Sequence, residues 1–381
     1  MTTKKVNFVS EKAARIEPSI TMAITAMANQ MKKEGKKVIS FSAGEPDYGT
    51  PEHINQSGIK AIQDGHTRYT AASGMPELRA AISDKIKLDY QLDYTADQIV
   101  VSCGAKHSIY NILVATLNPG DEVIVPSPYW VSYPHQIQLA DGVPAYVATD
   151  ESTGFKLTAD QLRSAITPKT KMVILTTPSN PTGAVYSKSE LLELKDVILE
   201  HDLLVLSDEI YEKLIYGDAE HISIAQLGED IKERTILVNG VSKAYAMTGW
   251  RIGYFAADAS IAKAAGKIQS HTTSNPTTPA QWASLTALTA GDEEVDKMCK
   301  EFDKRRTYMV DRLNAIPGIS CLEPFGAFYA FPNIAGCVGK RGGDIDITDS
   351  LTFCEALLNN FQVACVPGSG FGSPNNVRLS Y

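Results

Sequence analysis

The sequence predicts an α/β fold, in which a large domain with a mostly parallel sheet flanked by helices is joined to a smaller α+β domain. Two observations lead to this prediction. Between about residues 99 and 240, short β-rich runs alternate with helical stretches, and such alternation is typical of parallel sheets covered on both faces. Beyond about residue 280 the alternation ends, and one long helix-like stretch, 293–313, precedes a few short strands.

Local patterns along the chain predict the individual elements. A first helix is expected at 20–33, where Gly35 can end it. A strand at 38–41 leads into the turn-forming residues 43–47, and a helix at 76–87 begins with a proline. Strands of the large domain are expected at 99–101, 122–125, 143–147, 172–175, 203–206 and 235–238, and those of the small domain at 328–331, 363–366 and 377–381.

The length of 381 residues suits one large and one smaller domain. We predict that residues 1–50 contribute to the small domain, that 51–290 form the large domain, and that 291–381 complete the small domain. The long helix would tie the two together.

The composition limits the classes of protein. With 44% hydrophobic and 21% charged residues, a large core is possible and disorder is not expected. The formal net charge of −8 argues against nucleic acid or an anionic membrane as the main partner, because either requires a basic face. No apolar run has the length of a membrane span, and the N-terminus lacks the apolar core of a signal peptide. We therefore expect a soluble, cytoplasmic protein whose ligands are small molecules.

The cysteines are scattered, without a CxxC pair or a zinc-like spacing. They are Cys103, Cys299, Cys321, Cys337, Cys354 and Cys365. We interpret them as buried free thiols in a reducing compartment and expect no metal site.

Ligands of parallel sheets bind at the carboxyl ends of the strands, and polar residues follow several predicted strands here. Lys243 comes after 235–238, where a lysine can form a Schiff base with an aldehyde cofactor, although most lysines are solvated surface groups. Asp208 follows 203–206. A carboxylate in that place is costly unless it has a partner, and a protonated pyridine nitrogen would be one. A helix cap is the alternative interpretation of Asp208.

Further candidate ligands follow other strands. Asn180 lies in a rigid turn rich in proline and glycine, and its side chain, like the Tyr211 hydroxyl, can donate to a phenolate oxygen. The turn 104–106 lies between a strand and a helix, where backbone N–H groups can approach a phosphate. Arg251 can add a bidentate contact and Ser242 a hydroxyl. A tight turn and a structural arginine are the alternatives.

Together these motifs resemble those of the class I aminotransferases, and the bacterial-type aspartate aminotransferases in particular. The segment 242–251 (SKAYAMTGWR) resembles the lysine motif of that family, and 42–47 (SAGEPD), 180–183 (NPTG) and 208–211 (DEIY) occur in the family's order. The resemblance extends over nearly the whole chain. It implies the fold of type I transferases dependent on pyridoxal 5'-phosphate (PLP), PLP as cofactor, and a homodimer with shared active sites.

The resemblance also implies a role for each matching residue. Lys243 would bind the cofactor covalently and later move a proton, Asp208 would pair with the pyridine nitrogen, and Tyr211 would complete the catalytic set. The other expected cofactor contacts are Asn180 and Tyr211 at the phenolate oxygen, Trp130 on the ring face, Gly104, Ala105, Lys106, Ser242 and Arg251 near the phosphate, and Tyr69 from the neighbouring subunit.

Substrate contacts are implied in the same way. Arg378 would bind the α-carboxylate, in a pocket completed by Gly44, Trp130 and Asn180. The residues that match positions tied to a distal carboxylate are Lys106, Ser19 and Thr21. This match favours aspartate and glutamate over apolar amino acids.

The resemblance therefore predicts ping-pong transamination between L-aspartate and 2-oxoglutarate, which gives oxaloacetate and L-glutamate. Transamination of prephenate, or another PLP reaction such as β-elimination, is the alternative on the same fold. A nucleotide-binding oxidoreductase is a remote alternative, against which the missing GxGxxG motif counts. A non-catalytic relative would be expected to lack the lysine or the aspartate.

Members of the family usually continue past the Arg378 motif into a further helix on the small domain, whereas this sequence ends at Tyr381. Either the sequence is part of a longer one or the helix is absent. In the second case we expect exposed apolar surface on the small domain.

Overall fold

The helices and strands are those of an α/β protein. The computed structural model describes residues 8–18 and 20–381, except the side chain of Thr21. In this part the α-helices are α1 (Glu11–Ala14), α2 (Ile20–Lys33), α3 (Glu52–Gln63), α4 (Pro76–Tyr90), α5 (Ala105–Thr116), α6 (Ser132–Leu139), α7 (Ala159–Ala165), α8 (Lys188–Glu200), α9 (Glu229–Lys232), α10 (Ala259–Thr272), α11 (Thr278–Thr289), α12 (Glu293–Asn314) and α13 (Ser350–Phe361). The strands are β1 (Ile39–Ser40), β2 (Ile99–Ser102), β3 (Glu122–Ser127), β4 (Val143–Ala148), β5 (Thr170–Thr176), β6 (Leu204–Asp208), β7 (Thr235–Gly240), β8 (Gly253–Ala256), β9 (Tyr329–Ala330), β10 (Arg341–Gly342), β11 (Ile345–Asp346), β12 (Val363–Ala364), β13 (Val366–Pro367) and β14 (Val377–Ser380).

The large sheet confirms the predicted fold class. Within the described residues it has seven strands in the order β2-β8-β7-β6-β5-β3-β4. The neighbouring strands among β3 to β7 pair in parallel, whereas β8 pairs antiparallel with β2 and β7. The strand β8 was not predicted from the sequence, because four residues directly after a turn carry too little periodicity to identify a strand.

Apolar side chains cover both faces of this sheet. Along β3, Val123 and Val125 belong to the core cluster that includes residues of α5 and α6, whereas Ile124 belongs to the cluster that includes α8. Successive side chains of a strand point to opposite faces, and all three of these side chains are fully buried. Burial on both faces explains why the strand reads as a continuous apolar run in the sequence.

A smaller antiparallel sheet, with the order β13-β14-β9, lies in the C-terminal part of the chain. Its central strand β14 carries Arg378, which is paired in register with Val366. The strand predicted at 363–366 is divided in the structure, because β12 pairs instead with β1 in a separate parallel pair. The domain boundaries near residues 50 and 290 remain predictions.

Cysteines across the described residues are all free thiols. Those that are buried as expected are Cys321, Cys354 and Cys365; the expectation is wrong for Cys103, Cys299 and Cys337, which are only partly buried. In the same part of the chain, no group of His, Cys, Asp and Glu is arranged to hold a metal ion. None of the described helices has the length and apolarity of a membrane span.

Gly253 is the point at which β8 passes the turn before α5. A Cβ atom at Gly253 would overlap the backbone nitrogen of Ala105. Because overpacking of this kind costs about 1–3 kcal/mol, Gly253→Ala should lower the thermal unfolding midpoint by several degrees. Gly266 in α10 is the matched control, because the nearest atoms to its added Cβ lie at 4.0 Å and alanine stabilises a helix interior relative to glycine. Calorimetry of the two variants checks this, and equal midpoints would contradict it.

Candidate active site

A cavity of about 890 Å³ lies at the carboxyl ends of the parallel strands β5, β6 and β7. This is the edge at which ligands of such sheets bind. The cavity brings together most of the residues singled out from the sequence: Gly44, Ala105, Lys106, Trp130, Asn180, Asp208, Tyr211, Ser242, Lys243, Arg251 and Arg378. They come from distant parts of the chain, which only the strand order places side by side.

Lys243 follows β7 and points its amine into the cavity. The Nζ atom donates a hydrogen bond to the carbonyl of Gly44 and lies 5.7 Å from the ring centroids of Tyr211 and Phe328. The pKa of Lys243 is lowered to about 8, mainly by burial and next by the positive charge of Arg378. A substantial fraction of this amine is therefore neutral, and so nucleophilic and basic, near neutral pH.

Asp208 ends β6 and is 4% exposed. Its Oδ2 accepts a hydrogen bond from the Tyr133 hydroxyl at 2.6 Å, and its Oδ1 accepts from the backbone N–H of Ile210 at 3.4 Å. Burial raises the pKa of Asp208 to about 6, against the opposing effect of the Tyr133 hydrogen bond. The residues after Asp208 form a turn and not a helix, so the helix-cap alternative is wrong.

Arg378 is 2% exposed and is held by neutral groups. Its guanidinium donates to Asn180 Oδ1 at 3.0 Å and to the carbonyl of Ser42 at 3.2 Å, and it lies 4.5 Å from the ring centroid of Tyr329. Among the described residues no carboxylate pairs with it, and its buried Nε has no hydrogen-bond partner there. A buried cation without a counter-ion is costly, and its planar fork suits a carboxylate.

Tyr211 and Asn180 complete the wall near Arg378. Asn180 Oδ1 accepts from Arg378, which leaves its amide nitrogen as a donor for another ligand. The Tyr211 hydroxyl lies 2.8 Å from the Tyr329 hydroxyl, and burial raises the pKa of Tyr211 well above its ordinary value. Tyr211 therefore stays a neutral donor and acceptor over the physiological pH range.

The other end of the cavity is suited to an anion such as phosphate. Gly104 has φ 87° and directly precedes α5. The first N–H groups of a helix lack partners within the helix and can bind an anion. Arg251 donates to the carbonyls of Thr248 and Cys103 at 2.9 and 3.4 Å. Lys106 Nζ lies 4.9 Å from the Trp130 ring centroid, and burial, with the charge of Arg251, lowers the pKa of Lys106.

Among the described expected residues, Gly104 and Tyr69 are not in the lining of the cavity, although Gly104 directly precedes the lining residue Ala105. Tyr69 is 90% exposed and lies outside the lining of the cavity. Ser19 is outside the described residues, as is the side chain of Thr21. Their roles stay predictions, although α2 does bring Met22 and Thr25 to the cavity.

Several residues that line the cavity were not predicted from the sequence. The most notable are Tyr133, Thr176 and Tyr329. Each makes a hydrogen bond through its hydroxyl to another residue of the cavity. Thr176 is the last residue of β5, and its position at the carboxyl end of a strand could have identified it from the sequence. Tyr133 lies on a helix and Tyr329 in the small sheet, so local sequence gave no reason to join them to Asp208 and Tyr211.

Comparison with known proteins gives one consistent result. The family model for aminotransferases of class I and II matches residues 36–381. The aspartate aminotransferase of Geobacillus stearothermophilus is 49% identical over 98% of this chain and 94% of the relative. The aspartate/prephenate aminotransferase of Cereibacter sphaeroides is 47% identical with the same coverage. The crystal structure of an aspartate aminotransferase from Rhizobium meliloti superposes with a TM-score of 0.95 at 44% identity, over 99% of this chain and 94% of that one.

The low pKa of Lys243 can be measured without any ligand. Since acylation requires the neutral amine, the rate at which acetic anhydride modifies Lys243 in the protein alone should rise with a midpoint near pH 8. Arg378→Gln removes the strongest neighbouring positive charge, so it should move this midpoint upward and slow the modification at pH 8 severalfold. Competitive labelling with mass spectrometry reads the rate. Arg234→Gln, at the opposite end of the sheet, is the control, and equal midpoints in both variants would refute the assignment.

Proposed function

Since the chain belongs to the aminotransferases of class I and II, we propose that it transfers the amino group of L-aspartate to 2-oxoglutarate with PLP as cofactor, giving oxaloacetate and L-glutamate. The observation that carries the proposal is the set of three ionisable groups in one cavity, Lys243, Asp208 and Arg378, none of which is ion-paired with another described residue. Identity of 49% to an aspartate aminotransferase supports the choice of substrate. Membership of this family excludes the oxidoreductase alternative.

PLP fits the residues of the cavity. Its aldehyde requires a neutral amine, which the lowered pKa of Lys243 supplies. Its pyridinium requires an anion, and Asp208 is a buried carboxylate without an ion pair among the described residues. Its phosphate requires a site close to backbone N–H groups. Glycine at position 104 lets Arg251 lie at such a site, because a Cβ atom there would overlap the Arg251 guanidinium. Asn180 and Tyr211 supply the remaining polar contacts.

Each residue would then have a defined task. PLP, when bound, supplies an aldehyde that condenses with amines and a ring that stores the electron pair released at the substrate Cα. Lys243 would hold the cofactor until substrate arrives, and its freed Nζ would take the proton from Cα as a general base. Asp208 would keep the proton on the pyridine nitrogen. Arg378 would fix the substrate α-carboxylate through two N–H groups.

Lys106 is the residue that we assign to the second carboxylate of the substrate. It lies in the cavity at Trp130, and burial lowers its pKa. An anionic group beside it would offset that cost. Prephenate also carries a second carboxylate, and the similarity to an aspartate/prephenate aminotransferase makes prephenate the second candidate substrate.

We further propose that the protein acts in the cytoplasm as a homodimer. The exposed ring of Tyr69 supports the dimer, because it lies outside the cavity of its own chain and is free to reach that of a neighbouring subunit. Free cysteines among the described residues support a reducing compartment.

Lys243→Ala tests the covalent role. Wild-type protein incubated with PLP should develop the absorption band of an imine, and the variant should lose both this band and at least about 10²-fold of its turnover, since general-base catalysis contributes 10²–10⁴-fold. Lys267→Ala, on the exposed face of α10, should change neither. Retention of the band and of turnover in Lys243→Ala would refute the role.

Steady-state kinetics with a panel of amino donors separates the two carboxylate sites. Arg378→Lys should raise KM about 10- to 100-fold for aspartate, glutamate and alanine alike, because a charged hydrogen bond contributes about 1.5–3 kcal/mol. Lys106→Gln should raise KM for aspartate and glutamate but not for alanine. An equal rise in KM for all three donors in Lys106→Gln would contradict the assignment of Lys106 to the second carboxylate. Higher activity with prephenate than with 2-oxo dicarboxylates would favour prephenate as the substrate.

A further inference from the structure

A chain of two hydroxyl groups ends on the carboxylate of Asp208. The Tyr133 hydroxyl lies 2.6 Å from Asp208 Oδ2 and 2.8 Å from Thr176 Oγ1. Tyr133 is 1% exposed and Asp208 4% exposed. Neither Tyr133 nor Thr176 has a role in the transamination described above, and both line the cavity.

The direction of these hydrogen bonds follows from the number of protons. A phenol carries one proton, and an ionised carboxylate only accepts. When Asp208 is ionised, Tyr133 must therefore donate to Asp208 and accept from Thr176. Thr176 thus fixes the rotation of the Tyr133 hydroxyl. A hydrogen bond donated to the Tyr133 oxygen polarises its O–H group, so the Thr176 hydroxyl strengthens the hydrogen bond that Tyr133 donates to the ionised carboxylate.

The fold holds these three groups in fixed positions. Thr176 and Asp208 end the neighbouring parallel strands β5 and β6 and are paired in register. Tyr133 is on α6, where its ring packs in the apolar cluster that covers this face of the sheet and meets the Trp130 ring edge-on at 5.3 Å. Because none of the three can move far, the hydroxyl is presented to Asp208 at little cost in conformational entropy.

We propose that Tyr133, oriented by Thr176, is a positioning residue that keeps the buried Asp208 ionised and fixes Oδ2, leaving Oδ1 to face a cationic ligand in the cavity. The ligand part of this inference rests on the proposed function, in which that cation is the pyridinium of PLP. A neutral donor suits this task, because a cation beside Asp208 would neutralise the carboxylate and weaken its hold on the ligand.

Other charged and titratable groups also act on Asp208. Glu209, its neighbour in the chain, disfavours the ionised form, whereas Lys243, from the segment after β7, favours it. Tyr211 lies close enough for the charge of Asp208 to affect it but stays neutral. Of the groups that favour the carboxylate, the Tyr133 hydroxyl has the largest effect, and burial acts against it.

The experiment is a carbon-13 NMR titration of the protein without cofactor, labelled at the aspartate carboxyl carbons, with Asp208→Asn identifying the resonance. Asp208 should titrate near pH 6 in the wild type. Tyr133→Phe should raise this midpoint by about one pH unit or more, which corresponds to loss of one hydrogen bond to a charged group. Thr176→Val should raise it by less, and Thr176→Ser should restore the wild-type value.

Tyr186→Phe is the matched control. The Tyr186 hydroxyl is also buried and accepts a hydrogen bond from the Leu157 backbone at 2.8 Å, and Tyr186 lines the same small internal cavity as Tyr133, but it does not contact Asp208. It should lower stability without moving the titration. Thr176→Val keeps the tyrosine ring, so it tests the idea even if Tyr133→Phe does not fold.

A second readout is the pH dependence of PLP binding, followed by fluorescence. The pH below which affinity falls should rise in Tyr133→Phe by the same amount as the Asp208 midpoint. Unchanged titration of Asp208 in both Tyr133→Phe and Thr176→Val would overturn the proposal. If the titration of Asp208 shifts as expected but the protein binds no PLP, the positioning role of Tyr133 is supported and the proposed function is contradicted.

Discussion

The cost of removing ionisable groups from water governs this site. Lys243, Asp208 and Arg378 lie in one cavity, and none of them is ion-paired with another described residue. Burial shifts the pKa of Lys243 down to about 8 and that of Asp208 up to about 6. Both side chains can therefore exchange a proton near neutral pH. The fold tolerates these groups because neutral partners form hydrogen bonds with them. Tyr133 donates to Asp208, and Arg378 donates to Asn180.

Topology explains why these groups meet. The strands β5, β6 and β7 run parallel, so the segments that follow them emerge at the same edge with Asn180, Asp208 and Lys243. The antiparallel strand β8 lies between β7 and β2, and Gly253 at its start lets the turn before α5 approach closely. The end of the cavity that is suited to an anion therefore depends on the same sheet as the end that contains Lys243 and Asp208.

The end of the cavity that is proposed to bind the substrate depends on a second sheet. Arg378 lies on β14, the central strand of the small sheet, and Tyr329 lies on its neighbour β9. Two hydrogen bonds join these residues to the segments that follow β5 and β6 of the large sheet: one from Arg378 to Asn180 and one between the hydroxyls of Tyr329 and Tyr211. In the proposed function, recognition of a carboxylate by Arg378 and chemistry at Lys243 are therefore coupled through the relative position of the two sheets.

The sequence by itself determined the fold class, most strands of the large sheet and three central residues of the cavity. Buried parallel strands are apolar runs, and Lys243, Asp208 and Asn180 each follow one. Tertiary structure alone decided the strand order, the antiparallel β8 and the hydroxyl contacts of Tyr133 and Tyr329. The physical reason is that a hydrogen bond between groups 75 or 118 residues apart leaves no local periodicity, and it exists only when packing brings the two elements together.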